Sequence, residues 1–197
     1  MRRLLAGLLL WSALAMATPD DDQQRLRALR AAYPDYRTDR VAIVDVSDQE
    51  LRLYVDGRLA ARYPVSTAEA GTGSAAGSNR TPLGAHYVRR RYGAGAPAGM
   101  VFRARVPTGR IAAIEHRPRH IGEDLVTSRI LWLAGLEPGR NQGPGVDSFR
   151  RYIYIHGTPE EGLIGRPASH GCIRLRNQDV IALFDALPAR ALVWIQP

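Results

Sequence analysis

The chain contains no lysine and only one cysteine, Cys172, among its 197 residues. A single cysteine cannot form an internal disulfide, so this thiol is either an idle buried side chain or a reactive group. Because lysine is absent, arginine carries the entire basic excess of the formal net charge of +8. A basic surface of this kind favours polyanionic partners.

A long hydrophobic run is also absent. The apolar stretch Leu4–Leu14 is shorter than the roughly 20 residues that a membrane-spanning helix needs. Two arginines precede the stretch, and the small residues of Ala15–Ala17 follow it. This pattern predicts a signal peptide over residues 1–17, with cleavage after its last alanine. We therefore expect an exported, periplasmic or otherwise extracytoplasmic protein that keeps no membrane span after processing.

Export narrows the choice of polyanionic partner. Removing residues 1–17 takes two arginines away and lowers the formal charge from +8 to +6. Export argues against nucleic acid as the partner, and the sequence shows no recognition-helix or base-stacking motif. An anionic cell-wall polymer fits the charge better.

The residues after the signal peptide predict a mainly β protein of one domain. A short amphipathic helix over residues 20–33 and a linker make up residues 18–39, and residues 40–197 form the main domain. Strand patterns follow at "VAIVDV", "ELRLYV", "LAARYPVS", "HYVRR", "MVFRA", "SRILWL", residues 150–155, "CIRLR" and "ALVWI". The hairpin at Asp56-Gly57 joins two of these strands, and residues 66–84 predict a long loop.

A helix is predicted between the last two strands. Asn177 is expected to cap its N-terminus. The spacing of the apolar residues predicts one buried stripe that packs behind the site, formed by Val180, Leu183, Phe184 and Leu187.

The stretch "YIYIHGTPEEGLIGRPASHGCIRL" combines the cysteine with two of the five histidines. His156 is expected at a strand end, and a loop that folds back can bring it close to Cys172. An imidazole that takes the proton of a thiol makes it a strong nucleophile. Even a thiol with the ordinary pKa near 8.5 keeps a few per cent thiolate at neutral pH.

Further residues of this stretch suit acyl transfer. Gly171 allows a tight turn in which backbone N–H groups can converge on an oxyanion. Arg174 lies two residues beyond Cys172 on the same strand face, which suits it to grip a substrate carboxylate. Strand alternation alone places Tyr154 and Arg151 along the cleft.

A zinc site is the alternative use of these side chains. His156, His170 and Cys172 would need a fourth ligand, and the remaining candidates, His116 and His120, are separated by a proline. We expect these last two histidines to be ordinary loop residues, and we expect no metal site.

"IHGT" followed by "SHGCIRLRNQD" closely resembles the L,D-transpeptidase (YkuD-like) catalytic domain of bacterial envelopes. The resemblance covers roughly residues 40–196 and includes "TPLG", the hairpin and the closing helix and strand. It implies a β-sandwich-like fold. It also implies that Cys172 is the nucleophile, that His156 is the base, and that the carbonyl of Gly157 orients this base.

The resemblance assigns the remaining motif residues as well. Ser169, His170 and Gly171 would shape the pocket and the oxyanion hole, and Arg174 would lie near the substrate. The implied reaction removes the terminal D-alanine of a peptidoglycan tetrapeptide stem and passes the acyl group to an amine, giving a 3-3 cross-link. No metal or organic cofactor is implied. Two alternatives stay open: an L,D-carboxypeptidase, in which water is the acceptor, and a non-catalytic wall-binding module.

Overall fold

A computed structural model describes residues 19–197, with side chains from residue 21 onward; the predicted signal peptide at 1–17 lies outside the described residues. This part of the chain contains two α-helices, α1 (Pro19–Ala32) and α2 (Asn177–Ala186), and a 3-10 helix at Glu161–Leu163. It also contains ten strands, which are β1 (Arg37–Asp45), β2 (Glu50–Val55), β3 (Arg58–Pro64), β4 (Gly84–Tyr92), β5 (Met100–Arg103), β6 (Val106–Ile111), β7 (Val126–Gly135), β8 (Tyr154–Gly157), β9 (Ile173–Leu175) and β10 (Ala191–Gln196).

The ten strands of the described chain form one mixed sheet, in the order β3-β2-β1-β10-β4-β7-β5-β6. Strand β8 branches off at β7 and pairs in turn with β9. The pairs β1–β10 and β8–β9 are parallel, and the other pairs are antiparallel. The expected mainly β fold is confirmed.

The main hydrophobic core lies on one face of this sheet. Alternate residues of the central strands, such as Ala42 and Val44, pack there against the stripe of α2 and against Ile155 and Ile173 of the branched pair. All four residues of the predicted stripe on α2 are buried. Helix α2 therefore packs against β7 and β8, behind the strand that carries His156, as predicted.

Helix α1 covers the opposite face of the sheet. Its Leu26 and Leu29 pack against Val41 and Ile43 of β1. Since both faces of β1 are covered, its sequence is continuously apolar there instead of alternating. An ion pair also joins α1 to β2. Nε and Nη2 of the buried Arg52 donate to the carboxylate of Asp22 at 2.7 and 3.2 Å.

The hairpin between β2 and β3 is confirmed at the predicted position. Asp56 and Gly57 both have positive φ angles, 51° and 81°. Two consecutive left-handed residues define the tight turn that matches the twist of paired strands. The Asp-Gly dipeptide is therefore a sufficient local signal for this turn.

The hairpin between β5 and β6 was not predicted. Its turn residues, Ala104 and Arg105, adopt positive φ angles of 49° and 69° without a glycine or an asparagine. Strand β6 is exposed along its whole length and contains Pro107 and Gly109, so it lacks an alternating pattern. Its backbone pairs with β5 along one edge.

Two expected boundaries were wrong. The strand predicted over 150–155 begins instead at Tyr154, because backbone hydrogen bonds of Arg151 and Tyr152 close a turn just before it. Asn177 does not cap α2. It is the first residue of the helix, and its backbone N–H donates to the Glu161 carboxylate at 2.8 Å. Among the described residues, no helix is long and apolar enough to cross a membrane.

Candidate active site

The branched strands β8 and β9 bring the cysteine and histidine segments together. Their parallel register pairs Ile155 with Ile173 and His156 with Arg174. Cys172 immediately precedes β9 and therefore lies beside Tyr154, whose backbone N–H donates to Sγ at 3.4 Å. The residue opposite His156 is Arg174, so the Cys172 thiol lies on the neighbouring segment, two residues before that position.

The imidazole of His156 is buried and held by one backbone contact. Its Nδ1 lies 2.7 Å from the carbonyl oxygen of Gly157. A carbonyl can only accept, so Nδ1 carries the proton and Nε2 is left with a free lone pair. Burial lowers the pKa of His156, against the opposing effect of the Asp124 charge. The imidazole is therefore neutral at neutral pH and able to accept a proton.

The position after His156 must be a glycine. A Cβ on Gly157 would lie 2.8 Å from both Asn177 Oδ1 and Thr127 O. These atoms belong to a buried network in which Thr127 Oγ1 and Ser128 Oγ donate to Asn177 Oδ1 at 2.7 and 2.6 Å. The side chain of Asn177, expected as a helix cap, instead supports the strand that carries the histidine.

Cys172 is half-buried against an aromatic cluster, and its Sγ donates to the carbonyl of Tyr152 at 3.4 Å. Burial raises the pKa of the Cys172 thiol to about 12, although the N–H of Tyr154 acts in the opposite direction. This pKa is well above the value near 8.5 considered from the sequence. The resting site therefore holds a neutral thiol beside a neutral imidazole.

The turn before the cysteine is held by side-chain hydrogen bonds. Ser169 Oγ donates to Cys172 O at 2.6 Å and accepts from Gly171 N at 3.2 Å. Gly171 has a φ of +123°, which only glycine adopts readily. Its carbonyl accepts from Thr81 Oγ1 at 3.1 Å, so the "TPLG" segment packs directly against this turn.

Arg174 occupies a different environment from the one expected. Its side chain is only 1% exposed, and Nη1 donates to Glu160 Oε2 at 2.9 Å. Nη2 donates to Ser66 Oγ at 3.3 Å, while Nε is buried without a partner among the described residues. Since a buried carboxylate engages the guanidinium, it does not present the free fork that gripping a substrate requires.

Asp124 was not identified from the sequence. Its Oδ2 accepts from Nδ1 of the exposed His170 at 2.7 Å, and its Oδ1 lies 3.5 Å from Arg174 Nη1. Burial alone would raise the pKa of Asp124, but this hydrogen bond and the neighbouring cations outweigh it and lower the pKa. A loop carboxylate has no local signal, because only the fold brings the loop to the site.

The other histidine-carboxylate contacts lie at the edge of the same region. His116 and His120 are largely exposed and lie 3.8 and 3.4 Å from Glu161 and Glu160, respectively. No group of three or more histidine, cysteine, aspartate or glutamate side chains in residues 19–197 is placed to hold a metal ion.

An aromatic wall adjoins the cysteine. Trp132 stacks on Tyr152 with ring centroids 5.5 Å apart and meets Tyr154 edge to face at the same distance. The guanidinium of Arg105 lies over Trp132, 4.9 Å from the ring centroid, and its Nη1 is 3.4 Å from the Tyr154 hydroxyl. Sequence reasoning identified Tyr154 but missed Arg105, which lies in the unpredicted hairpin.

Arg151, predicted along the cleft, binds the backbone of the long loop. Its Nη1 donates to Gly73 O at 3.2 Å, and its Nη2 donates to Arg80 O at 2.6 Å. These bonds hold the loop against the turn that precedes Cys172. The charge of Arg151 still acts on Cys172 and favours the thiolate.

The fold is the one seen in solved structures of L,D-transpeptidases. The structure aligns with an L,D-transpeptidase from Mycobacterium smegmatis over 81% of this chain and 59% of that chain, with 16% identity and a TM-score of 0.52. It also aligns with L,D-transpeptidase 3 from Mycobacterium tuberculosis, solved with a faropenem-derived adduct, over 81% and 60% of the two chains, with 15% identity and a TM-score of 0.52.

The sequence comparison agrees with the fold. The family model of the L,D-transpeptidase catalytic domain (YkuD) matches residues 39–195, and the chain belongs to this family. Two curated proteins that carry the name L,D-transpeptidase also match. YqjB of Bacillus subtilis strain 168 is 42% identical over 45 residues, which are 23% of this chain and 26% of that protein. YbiS of Escherichia coli K12 is 50% identical over 38 residues, which are 19% and 12%. The matched stretches thus span about a quarter or less of these relatives.

Proposed function

We propose that this protein is an exported cysteine acyltransferase that acts on peptidoglycan stem peptides. It removes the terminal D-alanine of a tetrapeptide stem through a thioester on Cys172 and transfers the acyl group to an amine, forming a 3-3 cross-link. The observation that carries this proposal is the 2.7 Å contact between His156 Nδ1 and Gly157 O. That contact leaves Nε2 of His156 unprotonated. His156 lies in β8, next to the strand that follows Cys172, the only cysteine of the chain.

Acylation begins from the neutral pair. Because burial raises the pKa of Cys172 to about 12, the thiol proton passes to Nε2 of His156 as sulfur attacks the carbonyl of the third stem residue. The resulting imidazolium keeps its Nδ1–H bond to Gly157 O. It then gives the same proton to the leaving D-alanine nitrogen, the amide bond breaks, and the thioester remains.

Deacylation reverses the proton path. The side-chain amine of a second stem attacks the thioester carbonyl and transfers a proton to His156 Nε2. The C–S bond breaks, and the Cys172 sulfur recovers its proton from the imidazolium. No metal or organic cofactor takes part in either half-reaction.

The oxyanion formed in both steps needs hydrogen-bond donors. The backbone N–H of Cys172 makes no hydrogen bond within residues 19–197, whereas that of Gly171 is shared with Ser169 Oγ. In this proposal the Cys172 N–H receives the oxyanion, and the Ser169 hydroxyl holds the turn that presents it. His170, held by Asp124, borders the pocket.

Intact-mass spectrometry tests the nucleophile and the base. Incubation with faropenem, the penem from which the adduct of the Mycobacterium tuberculosis relative derives, should give one adduct that peptide mapping places on Cys172. Cys172→Ser should give none, and His156→Ala should acylate at less than about 1% of the parent rate, in line with the 10²–10⁴-fold effect of a general base. An adduct on Cys172→Ser, or parent-rate acylation of His156→Ala, would refute these assignments.

Product analysis separates transfer from hydrolysis. Wild-type enzyme incubated with a tetrapeptide stem should release D-alanine and yield a dimer joined through the third residues. Release of D-alanine with tripeptide as the sole other product would identify an L,D-carboxypeptidase. Intact stems after prolonged incubation, with no acyl-enzyme, would leave only a wall-binding role.

The export and wall-binding parts of the proposal rest on the sequence. N-terminal sequencing of envelope material should find a mature chain that begins near Thr18; recovery of Met1 would indicate a retained anchor. If the arginine-rich surface holds the enzyme on anionic wall polymer, retention on sacculi should fall with salt, because exposed charges are screened beyond roughly 8 Å at physiological ionic strength. Salt-independent retention would exclude an electrostatic attachment.

A further inference from the structure

Three arginines lie near the thiol or the aromatic side chains beside it, and two of them are already engaged. Arg151 donates to backbone carbonyls of the long loop, and Arg174 is paired with the buried Glu160. Arg105 is the third. Its hydrogen bond in the described chain is the 3.4 Å contact of Nη1 with the Tyr154 hydroxyl, and no carboxylate of these residues is paired with it. Most donors of this guanidinium are therefore open to a ligand.

The open guanidinium of Arg105 is nevertheless held in place. It lies over Trp132 at 4.9 Å and over Tyr152 at 5.5 Å from the ring centroids. Stacking on two aromatic rings fixes the plane of the guanidinium while leaving its edge free. An arginine held in this way offers two parallel N–H groups that match a carboxylate. Pre-organisation reduces the entropy lost when such a ligand binds.

Tyr154 contacts both the thiol and Arg105. Its backbone N–H lies 3.4 Å from Cys172 Sγ, and its hydroxyl, at the other end of the side chain, lies 3.4 Å from Arg105 Nη1. In the acyl donor, the residue that leaves extends the peptide by about 3.8 Å beyond the attacked carbonyl. A leaving residue that extends from the thiol along the Tyr154 side chain therefore directs its terminal carboxylate toward Arg105.

We propose that Arg105 determines donor specificity by binding the terminal carboxylate of the residue that leaves on acylation. This inference rests on the proposed function and assigns to Arg105 the carboxylate contact that the sequence had suggested for Arg174. A donor that ends in a free carboxylate one residue after the attacked carbonyl is accepted. A donor whose terminal carboxylate is amidated lacks this contact.

Paired donors test this assignment. With a tetrapeptide stem that ends in D-alanine, Arg105→Ala should raise the donor KM about ten- to a hundred-fold, as expected for loss of a charge-assisted hydrogen bond. With the same stem ending in D-alaninamide, wild type and variant should have similar KM values. Arg105→Lys keeps the charge without the planar fork and should restore part of the affinity.

A neighbouring arginine supplies the matched control. Arg103 lies in the same hairpin and is exposed, so Arg103→Ala removes the same charge without touching the aromatic wall. It should leave both donors unaffected. An equal rise in KM for the two donors in Arg105→Ala, or an equal effect of Arg103→Ala, would overturn the assignment. A KM defect that disappears only when a side-chain carboxylate of the stem is amidated would overturn it as well.

Binding without turnover separates this inference from the proposed function. Calorimetry in the Cys172→Ser background should show that Arg105→Ala weakens binding of the free-acid stem ten- to a hundred-fold and leaves the amide unchanged. If wild type forms an acyl-enzyme but Arg105→Ala binds both stems like its parent, only the role of Arg105 fails. If wild type never acylates, the proposed function fails independently of the binding result.

Discussion

Arg174 Nη1 and Glu160 Oε2 lie 2.9 Å apart, and their side chains are only 1% and 4% exposed. A buried ion pair contributes little net stability, but removing one partner leaves an uncompensated charge in a poorly solvated place. This pair joins β9, which directly follows Cys172, to the segment that follows β8. We therefore interpret Arg174 as a positioning residue for the thiol.

Removing the carboxylate of this pair should destabilise the fold. Glu160→Gln is expected to lower the free energy of unfolding by about 3 kcal/mol, measured by urea denaturation at pH 7. The exposed pair of Arg110 and Glu123 provides the control, since Glu123→Gln should cost less than about 1 kcal/mol. If both substitutions lowered the unfolding free energy equally, burial of the Arg174–Glu160 pair would not make the loss of its carboxylate more destabilising.

The thiol should alkylate slowly at neutral pH. Since burial raises the pKa of Cys172 to about 12, the rate constant with iodoacetamide should keep rising about tenfold per pH unit between pH 7 and 10, because only the thiolate reacts. The urea-unfolded chain should instead level off above its ordinary pKa, near 8.5. A plateau of the folded enzyme below pH 9 would indicate a preformed thiolate–imidazolium pair.

The buried His86 should make the fold sensitive to acid. Its ring nitrogens contact Gly84 O and Ser148 Oγ at 3.0 and 2.9 Å, and burial lowers its pKa to about 4. Between pH 6.5 and 4 the unfolded chain binds a proton that the folded chain does not, so stability falls as the pH falls. The loss should approach about 3 kcal/mol at pH 4.

The His86 contribution can be separated from other acid effects. His86→Gln should flatten the dependence of the unfolding free energy on pH between 6.5 and 4, measured by urea denaturation at several pH values. At pH 8 the histidine is neutral in both states. The loss of unfolding free energy that the substitution causes at this pH is therefore subtracted from the values at lower pH. An unchanged slope after that subtraction would contradict the assignment. Part of the slope should remain in either case, because burial also lowers the pKa of His156.

Adding one methyl group beside His156 should disturb the orientation of its imidazole. In Gly157→Ala the new Cβ would lie 2.8 Å from Asn177 Oδ1 and Thr127 O, and overpacking of this kind costs about 1–3 kcal/mol. Because the Gly157 carbonyl orients His156, we also expect penem acylation to slow more than tenfold. Gly73→Ala is the control, since the close atoms there belong to the flexible Arg80 side chain. Parent-rate acylation of Gly157→Ala would contradict this role.

Local patterns in the sequence determined most of the elements. The Asp56-Gly57 turn, the paired strands around it and the apolar stripe of α2 were predictable, because turn chemistry and periodicity act over a few residues. The spacing of His156 and Cys172 along the chain likewise indicated a reactive pair. Strand β6 could not be predicted, because an exposed edge strand has no buried face and therefore no alternation of apolar and polar residues.

Contacts between distant segments decided the rest of the site. Glu160 engages Arg174, and the hairpin that carries Arg105 lies against the aromatic wall next to Cys172; neither contact has a signature in the sequence around it. The raised pKa of the thiol also follows from burial by several elements. The sequence alone determined which chemical groups the site contains. Only tertiary packing decided which arginine is neutralised and which stays open, because charge pairing depends on distances that the folded chain sets.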